Sequence, residues 1–275
     1  MSRDPLLRLF PQPVVPLPLA GLYLSHDLRG HTRTGARPFL YTNFISSLDG
    51  RIAVPPDNKE RDFDVPDALA NQRDWRLFQE LAAQADVVIV SGAHLRQRTA
   101  GRAGAIIQFD DPQFSDLARW RRERSLPRSP DIAVVSNSLD FAVPEEMDPT
   151  QVHAFTSESA PKDGLLRLER QGVEVVTAGE RAVDGQRLMA ALGDLGFGVV
   201  YSPAGPHILN TLLQSQVVDR MYVTIAGRAL GGPEYLTMVE GQRLQPPAEL
   251  SLAKLYYDAG PNAGPEQLFA AYDRV

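Results

Sequence analysis

The sequence predicts an α/β protein: a mostly parallel central sheet with helices on both faces, ending in an antiparallel hairpin. Three observations carry this expectation. From Phe39 onward, short β-branched apolar runs alternate with longer amphipathic ones, the pattern of strands joined by crossover helices. The last two strand-like runs follow one another with no helical run between them, which makes them a hairpin. A chain of 275 residues with 43% hydrophobic and 23% charged residues is that of a globular protein, and its apolar runs are too short to cross a bilayer.

Residues 1–38 stand apart. Pro5, Pro11, Pro13, Pro16, Pro18 and Pro38 interrupt any helical or strand period, so this stretch is expected as an extended arm over the surface of a single domain spanning 39–275. Its Leu17, Leu19, Leu22 and Leu24 need an apolar surface to pack on. Strands are expected at 39–45, 87–91, 132–136, 173–177, 197–202 and 221–226. Between them, 67–84, 113–124, 162–171, 185–195 and 206–214 space apolar residues three and four apart, as in Leu188, Leu192 and Leu195. That spacing is helical. The runs 250–257 and 267–272 form the hairpin around a linker holding Gly260, Pro261, Gly264 and Pro265. The arginine-rich run from Arg119 to Arg124 reads as the outer face of a helix with Trp120 turned inward.

Composition narrows the chemistry. There is no cysteine, so disulfides, thiolate zinc sites, iron–sulfur clusters and cysteine nucleophiles are excluded. His26, His31, His94, His153 and His207 do not fall at metal-ligand spacings, and no metal site is expected. A net charge of −6 argues against a nucleic-acid partner. The N-terminus lacks the apolar core of a signal peptide, which makes a cytoplasmic location the expectation, with no membrane partner.

Three segments could carry chemistry. In the first, Phe197 to Leu213, a buried strand turns through Gly205 and Pro206 into a helix. Its first-turn amides would face a ligand beyond the strand end, where a pyrophosphate would be well placed; Gly-Pro is also an ordinary helix-start signal. The second, Asn43 to Ala53, ends a strand in a loop with Ser46, Ser47, Asp49 and Gly50. Its hydroxyls could meet a ribose or base, or the loop could be a plain Asp-Gly turn. The third, Asp86 to Arg98, ends a strand in small residues followed by His94, Arg96, Arg98 and then Arg102. Guanidinium forks suit phosphate, although a solvated basic loop has the same composition. Neither a phosphate-binding GxxxxGK[ST] nor a nucleophile elbow GxSxG is present.

Together and in this order, these segments resemble the reductase domain of riboflavin biosynthesis. The resemblance rests on Ser47-Leu-Asp-Gly-Arg-Ile-Ala, on the run from Trp75 to Val90, and on Gly205 to Asp219 continuing into Tyr222-Val-Thr-Ile-Ala-Gly-Arg-Ala-Leu-Gly-Gly. It implies a dihydrofolate-reductase-like three-layer α/β/α sandwich that binds NADPH as cofactor. The implied reaction reduces the ribosyl C1′ of 5-amino-6-(5-phosphoribosylamino)uracil, a small-molecule substrate. It also implies a homodimer, to which the apolar strand 221–226 could contribute. Carried over by position, Gly205, Pro206, His207, Ile208 and Leu209 fall on the cofactor diphosphate turn. Ile45 and Ser47 fall near the nicotinamide and ribose, while Ser136, Asn137 and His94 fall on further cofactor positions. Asp49 is then the candidate acid with His94 as an alternative donor, and Arg96 and Arg98 are candidates for the substrate phosphate. The chain departs from the pattern where a substrate glutamate is replaced at Pro203 and a substrate arginine at Ala82. Those departures leave open a reductase of another heterocycle or sugar phosphate, or a non-catalytic cofactor-binding homologue.

Overall fold

The structure is a computed structural model and describes residues 5–32, 37–55, 63–260 and 264–275. One eleven-stranded sheet runs through it. In chain order the strands are β1 (Leu6–Phe10), β2 (Val15–Leu17), β3 (Phe39–Ser47), β4 (Val87–Ser91), β5 (Asp131–Val135), β6 (Val152–Thr156), β7 (Glu174–Thr177), β8 (Val199–Ser202), β9 (Arg220–Ala226), β10 (Leu250–Asp258) and β11 (Gln267–Arg274). Their spatial order is β2-β1-β10-β11-β9-β3-β8-β4-β5-β6-β7. Every pair from β9 to β7 is parallel. From β9 outward through β11, β10, β1 and β2 the pairing is antiparallel. The predicted class and hairpin are both found.

The helices are α1 (Gln72–Gln84), α2 (Gly92–Thr99), α3 (Ser115–Glu123), α4 (Lys162–Arg170), α5 (Gly185–Asp194) and α6 (Pro206–Gln214). Leu77 and Leu81 of α1, Leu95 of α2, Leu117 of α3 and Leu168 of α4 pack into the core on one face of the sheet. Leu188 and Leu192 of α5 with Leu209 and Leu212 of α6 fill the other. These are the layers that the three-and-four spacing required.

Several local expectations change. The strand β6, Val-His-Ala-Phe-Thr, was not anticipated, because His153 breaks its apolar run; the strand is buried throughout. The segment after Ser91 is a helix rather than a loop, since the Ser91 hydroxyl caps it by accepting from the His94 amide. Arg121 does not lie on the outer face. It is 1% exposed and donates to the carbonyls of Ala83 and Ala85 at 2.9 and 2.8 Å, satisfying acceptors that the end of α1 leaves open.

The proline-rich segment also acquires structure. β1 pairs with β10 and β2 with β1, prolines being tolerated on edge strands. Residues beyond β2 are held by α1: the Glu80 carboxylate accepts from the Gly21 and Tyr23 amides at 2.6 and 2.8 Å. Gln84 spans the Leu28 amide and the Tyr23 carbonyl. Strand β9 has both edges paired and is almost entirely buried, so it offers no free edge to a second copy and the expected interface contribution of 221–226 is corrected.

Candidate active site

Because β3, β4, β5, β8 and β9 run parallel, their carboxyl ends share one edge of the sheet, where open α/β sheets present ligands. A cleft of ≈ 290 Å³ opens there between α1, the start of α2 and the turn from β8 into α6, lined among others by Trp75, Phe78, His94, Gln97, Pro203 and Gly205. The third segment and the first, far apart in sequence, thus meet. A Cβ at Gly205 would touch nothing within 4 Å, so the turn is open toward a ligand. Larger surface grooves, one along Phe109 to Arg128 and one along Gln242 to Leu250, hold none of the predicted site residues.

His94 faces this cleft with its Nε2 buried and without a hydrogen-bond partner. Burial, then the nearby Arg98 charge, lower its pKa, so the ring is neutral at physiological pH and can donate or accept one hydrogen bond. The two arginines do not join it. Arg96 donates to the Asp140 carbonyl at 2.7 Å and Arg98 pairs with Glu146. Once 92–99 is a helix, these guanidinium groups are drawn toward residues 140–146, and the expected phosphate pair is not assembled at the cleft.

Asp49 takes a different part from the expected one. Its carboxylate accepts from Ser47 Oγ at 2.5 Å, from the Leu230 and Gly231 amides, and from Arg51 at 2.6 Å. These hydrogen bonds, led by that of Ser47, hold its pKa well below the usual carboxylate range. An anion held in this way has no proton to give near neutrality. It ties the loop after β3 to the loop after β9, where Gly231 adopts φ 68°. Ser47 is therefore committed to Asp49, while Ile45 lies half-buried on the α1-facing side of β3.

The remaining positions lie along the same edge. Ser136 Oγ accepts from the Leu139 amide at 3.0 Å, and a Cβ at Gly92 would lie 2.8 Å from it. Asn137 Oδ1 accepts from the Val183 amide. In α6, Pro206 is buried, Leu209 belongs to the core with Ile208 packed against it, and His207 Nδ1 lies 3.0 Å from the Glu240 carbonyl oxygen. Gly205 caps this helix without a side-chain hydrogen bond. The two departures separate as well: Pro203 lines the cleft, whereas Ala82 is fully buried in the core.

The group that sequence reasoning missed is Asp74. It sits in the first turn of α1, where Asn71 caps the helix by accepting from the Arg73 and Asp74 amides. Its carboxylate is turned inward and accepts from Thr224 Oγ1 of β9 at 2.6 Å. Burial raises its pKa to about 6, with the Thr224 hydrogen bond opposing. Tyr23 and Tyr201 lie within electrostatic reach of it. Trp75, the next residue, lines the cleft. In sequence, Asn71 followed by an acid three residues on reads simply as a helix start. Only its pairing with Thr224, distant in sequence, sets Asp74 apart.

Among known proteins, similarity spans most of the chain. A reductase of Methanothermobacter thermautotrophicus, named 2,5-diamino-6-ribosylamino-4(3H)-pyrimidinone 5′-phosphate reductase, is 27% identical over 218 residues, 78% of this chain and 88% of that protein. A protein of the same name from Archaeoglobus fulgidus is 21% identical over 75% of this chain and 88% of its own length. In fold, the crystal structure of a pyrimidine reductase-like protein from Corynebacterium diphtheriae superposes with a TM-score of 0.67 at 19% identity, covering 86% of this chain and 92% of the other. The model of the RibD C-terminal domain matches residues 38–259, and the chain belongs to that family.

Proposed function

We propose that this protein is an NADPH-dependent reductase of a ribosylaminopyrimidine 5′-phosphate in riboflavin biosynthesis, acting in the cytoplasm. The curated relatives are named for the 2,5-diamino-pyrimidinone substrate, whereas the sequence resemblance pointed to the deaminated uracil. The reacting ribosyl carbon is the same in both. The observation that carries the reading is Asp74, a protonatable carboxylic acid held by Thr224 beside an open cleft at the ligand edge of the sheet.

The residues of the cleft fit a nicotinamide cofactor. The unpartnered Nε2 of His94 offers one hydrogen bond, and Gly205 leaves the α6 turn accessible. His94, Gly205 and the amide at the start of α6 would hold the cofactor, with Ile45, Ser136 and Asn137 along the same edge. When bound, NADPH supplies a hydride. Opening of the ribosylamine gives an imine, and net reduction adds a hydride to C1′ and a proton to the nitrogen. Asp74 supplies that proton and Thr224 orients it. Asp49 keeps the loop after β3 in place. The homodimer remains part of the proposal, on a surface other than β9.

The test is loss of reduced-nicotinamide absorbance on mixing the protein with NADPH and the pyrimidinone substrate. Asp74→Asn should lower the rate of the chemical step by about 10²–10⁴-fold while leaving NADPH binding intact. A variant as fast as the parent protein would remove Asp74 from the mechanism.

A further inference from the structure

On the face of the sheet that α1 covers, polar side chains form a row at the ligand edge. Tyr222, Thr224 and Ala226 of β9 lie beside Ala271, Phe269 and Gln267 of β11, and Phe269 and Gln267 in turn beside Tyr256 and Asp258 of β10. Tyr222, Ala271, Phe269 and Tyr256 belong to the α1-side core, so strand alternation puts Thr224, Gln267 and Asp258 on that face too. Two of these three are occupied: Thr224 donates to Asp74, and Asp258 accepts from Arg73 Nε at 2.5 Å.

Gln267 is not. It is 2% exposed, and neither its Oε1 nor its Nε2 has a hydrogen-bond partner. A buried carboxamide with both ends unmatched is costly, and an apolar residue of the same size would be the cheaper choice if packing were its only task. Its position is the diagonal neighbour of Thr224 across β9 and β11, one pair nearer the ligand edge of the sheet.

We propose that Gln267 recognises the substrate ring, its carboxamide pairing in two-point fashion with the neighbouring N–H and C=O of the pyrimidinone lactam. A carboxamide carries a donor and an acceptor side by side, and a lactam presents the complementary pair. A site built around such a pair rejects rings that lack it more strongly than an apolar pocket could. This inference rests on the reductase reading above and adds to it what selects the heterocycle.

The experiment measures KM for the pyrimidinone substrate, KM for NADPH and the thermal midpoint in the parent protein and in Gln267→Leu, with Gln267→Met as a second variant should the first fail to fold. Each is also assayed with a substrate analogue methylated on the lactam nitrogen. The expected result is a substrate KM raised about ten- to hundredfold in the variant, with NADPH KM unchanged and the midpoint no lower than the parent's, since an unmatched buried carboxamide has been removed. Methylation should weaken the parent protein's binding but cost the variant nothing further, as a coupled pair requires. An unchanged substrate KM, or equal methylation penalties in both proteins, overturns the role of Gln267 and leaves the reductase reading standing. A parent protein that neither binds nor reduces the pyrimidinone overturns both.

Discussion

Single residues divide here by what burial does to their protons. His26 is buried with Nδ1 and Nε2 each 2.8 Å from a tyrosine hydroxyl, those of Tyr222 and Tyr256, and burial lowers its pKa from 6.5 to about 3. Below pH 6.5 the unfolded chain takes up a proton that the folded one refuses, so stability falls as pH drops from 6.5 toward about 3, by at most about 1.4 kcal/mol per pH unit. Denaturant unfolding across that window should show the slope, and His26→Phe should flatten it. His153 has the opposite sign. Its hydrogen bond to Asp131, with that to Glu174, raises its pKa against burial, so its contribution is complete below 6.5 and is lost as pH rises through the raised value. In the proposed mechanism Asp74 is the acid and must be protonated, so the rate of the chemical step should fall tenfold per pH unit above about 6. In Asp74→Asn that limb should vanish from the pH–rate profile. The strand-end positions of His94 and Gly205, which bring both to the cleft, were legible in sequence because strand-end motifs mark them. Asp74 and Gln267 were not, since a helix-start acid and a strand glutamine look ordinary until their neighbours are known.

Among the elements, α1 joins the fold to the site. Its first turn carries Asp74, capped by Asn71; its middle carries Glu80, which accepts from three amides of the N-terminal segment and from Arg76 Nε at 2.8 Å. Asn71→Ala should cost about 1 kcal/mol in denaturant unfolding and loosen the turn that aims Asp74. Glu80→Ala leaves buried donors without an acceptor, and an expected loss of about 3 kcal/mol or more should appear in the same measurement. Sequence periodicity located α1 but started it too early, at 67 rather than Gln72, because Leu69 continues the apolar spacing although the chain there is a turn. The helix 92–99 was missed for the reverse reason: its charged surface carries little periodicity, and the Ser91 cap that starts it is a single hydroxyl. The helix geometry, which composition does not record, holds Arg96 on the Asp140 carbonyl and Arg98 on Glu146.

For the molecule as a whole, the N-terminal segment extends the sheet past the C-terminal hairpin. Removing residues 1–17 would leave β10 without its partner β1 and expose an edge of unpaired amides and carbonyls. Size-exclusion chromatography of that truncation should show concentration-dependent association into species larger than a dimer, absent from the full chain. Among the described residues no helix is long and apolar enough to cross a membrane, as the short apolar runs implied. The sequence by itself determined the class of the fold, the hairpin and the strand-end turns, because hydrophobic period and turn chemistry are local properties that survive in any context. Only the tertiary structure decided which of those turns meet. It closed His94 and Gly205 into one cleft, committed Asp49 to a loop contact, turned Arg96 and Arg98 away, and brought Asp74 to Thr224 across 150 residues. Such pairings depend on strand order and helix docking, which no local pattern records.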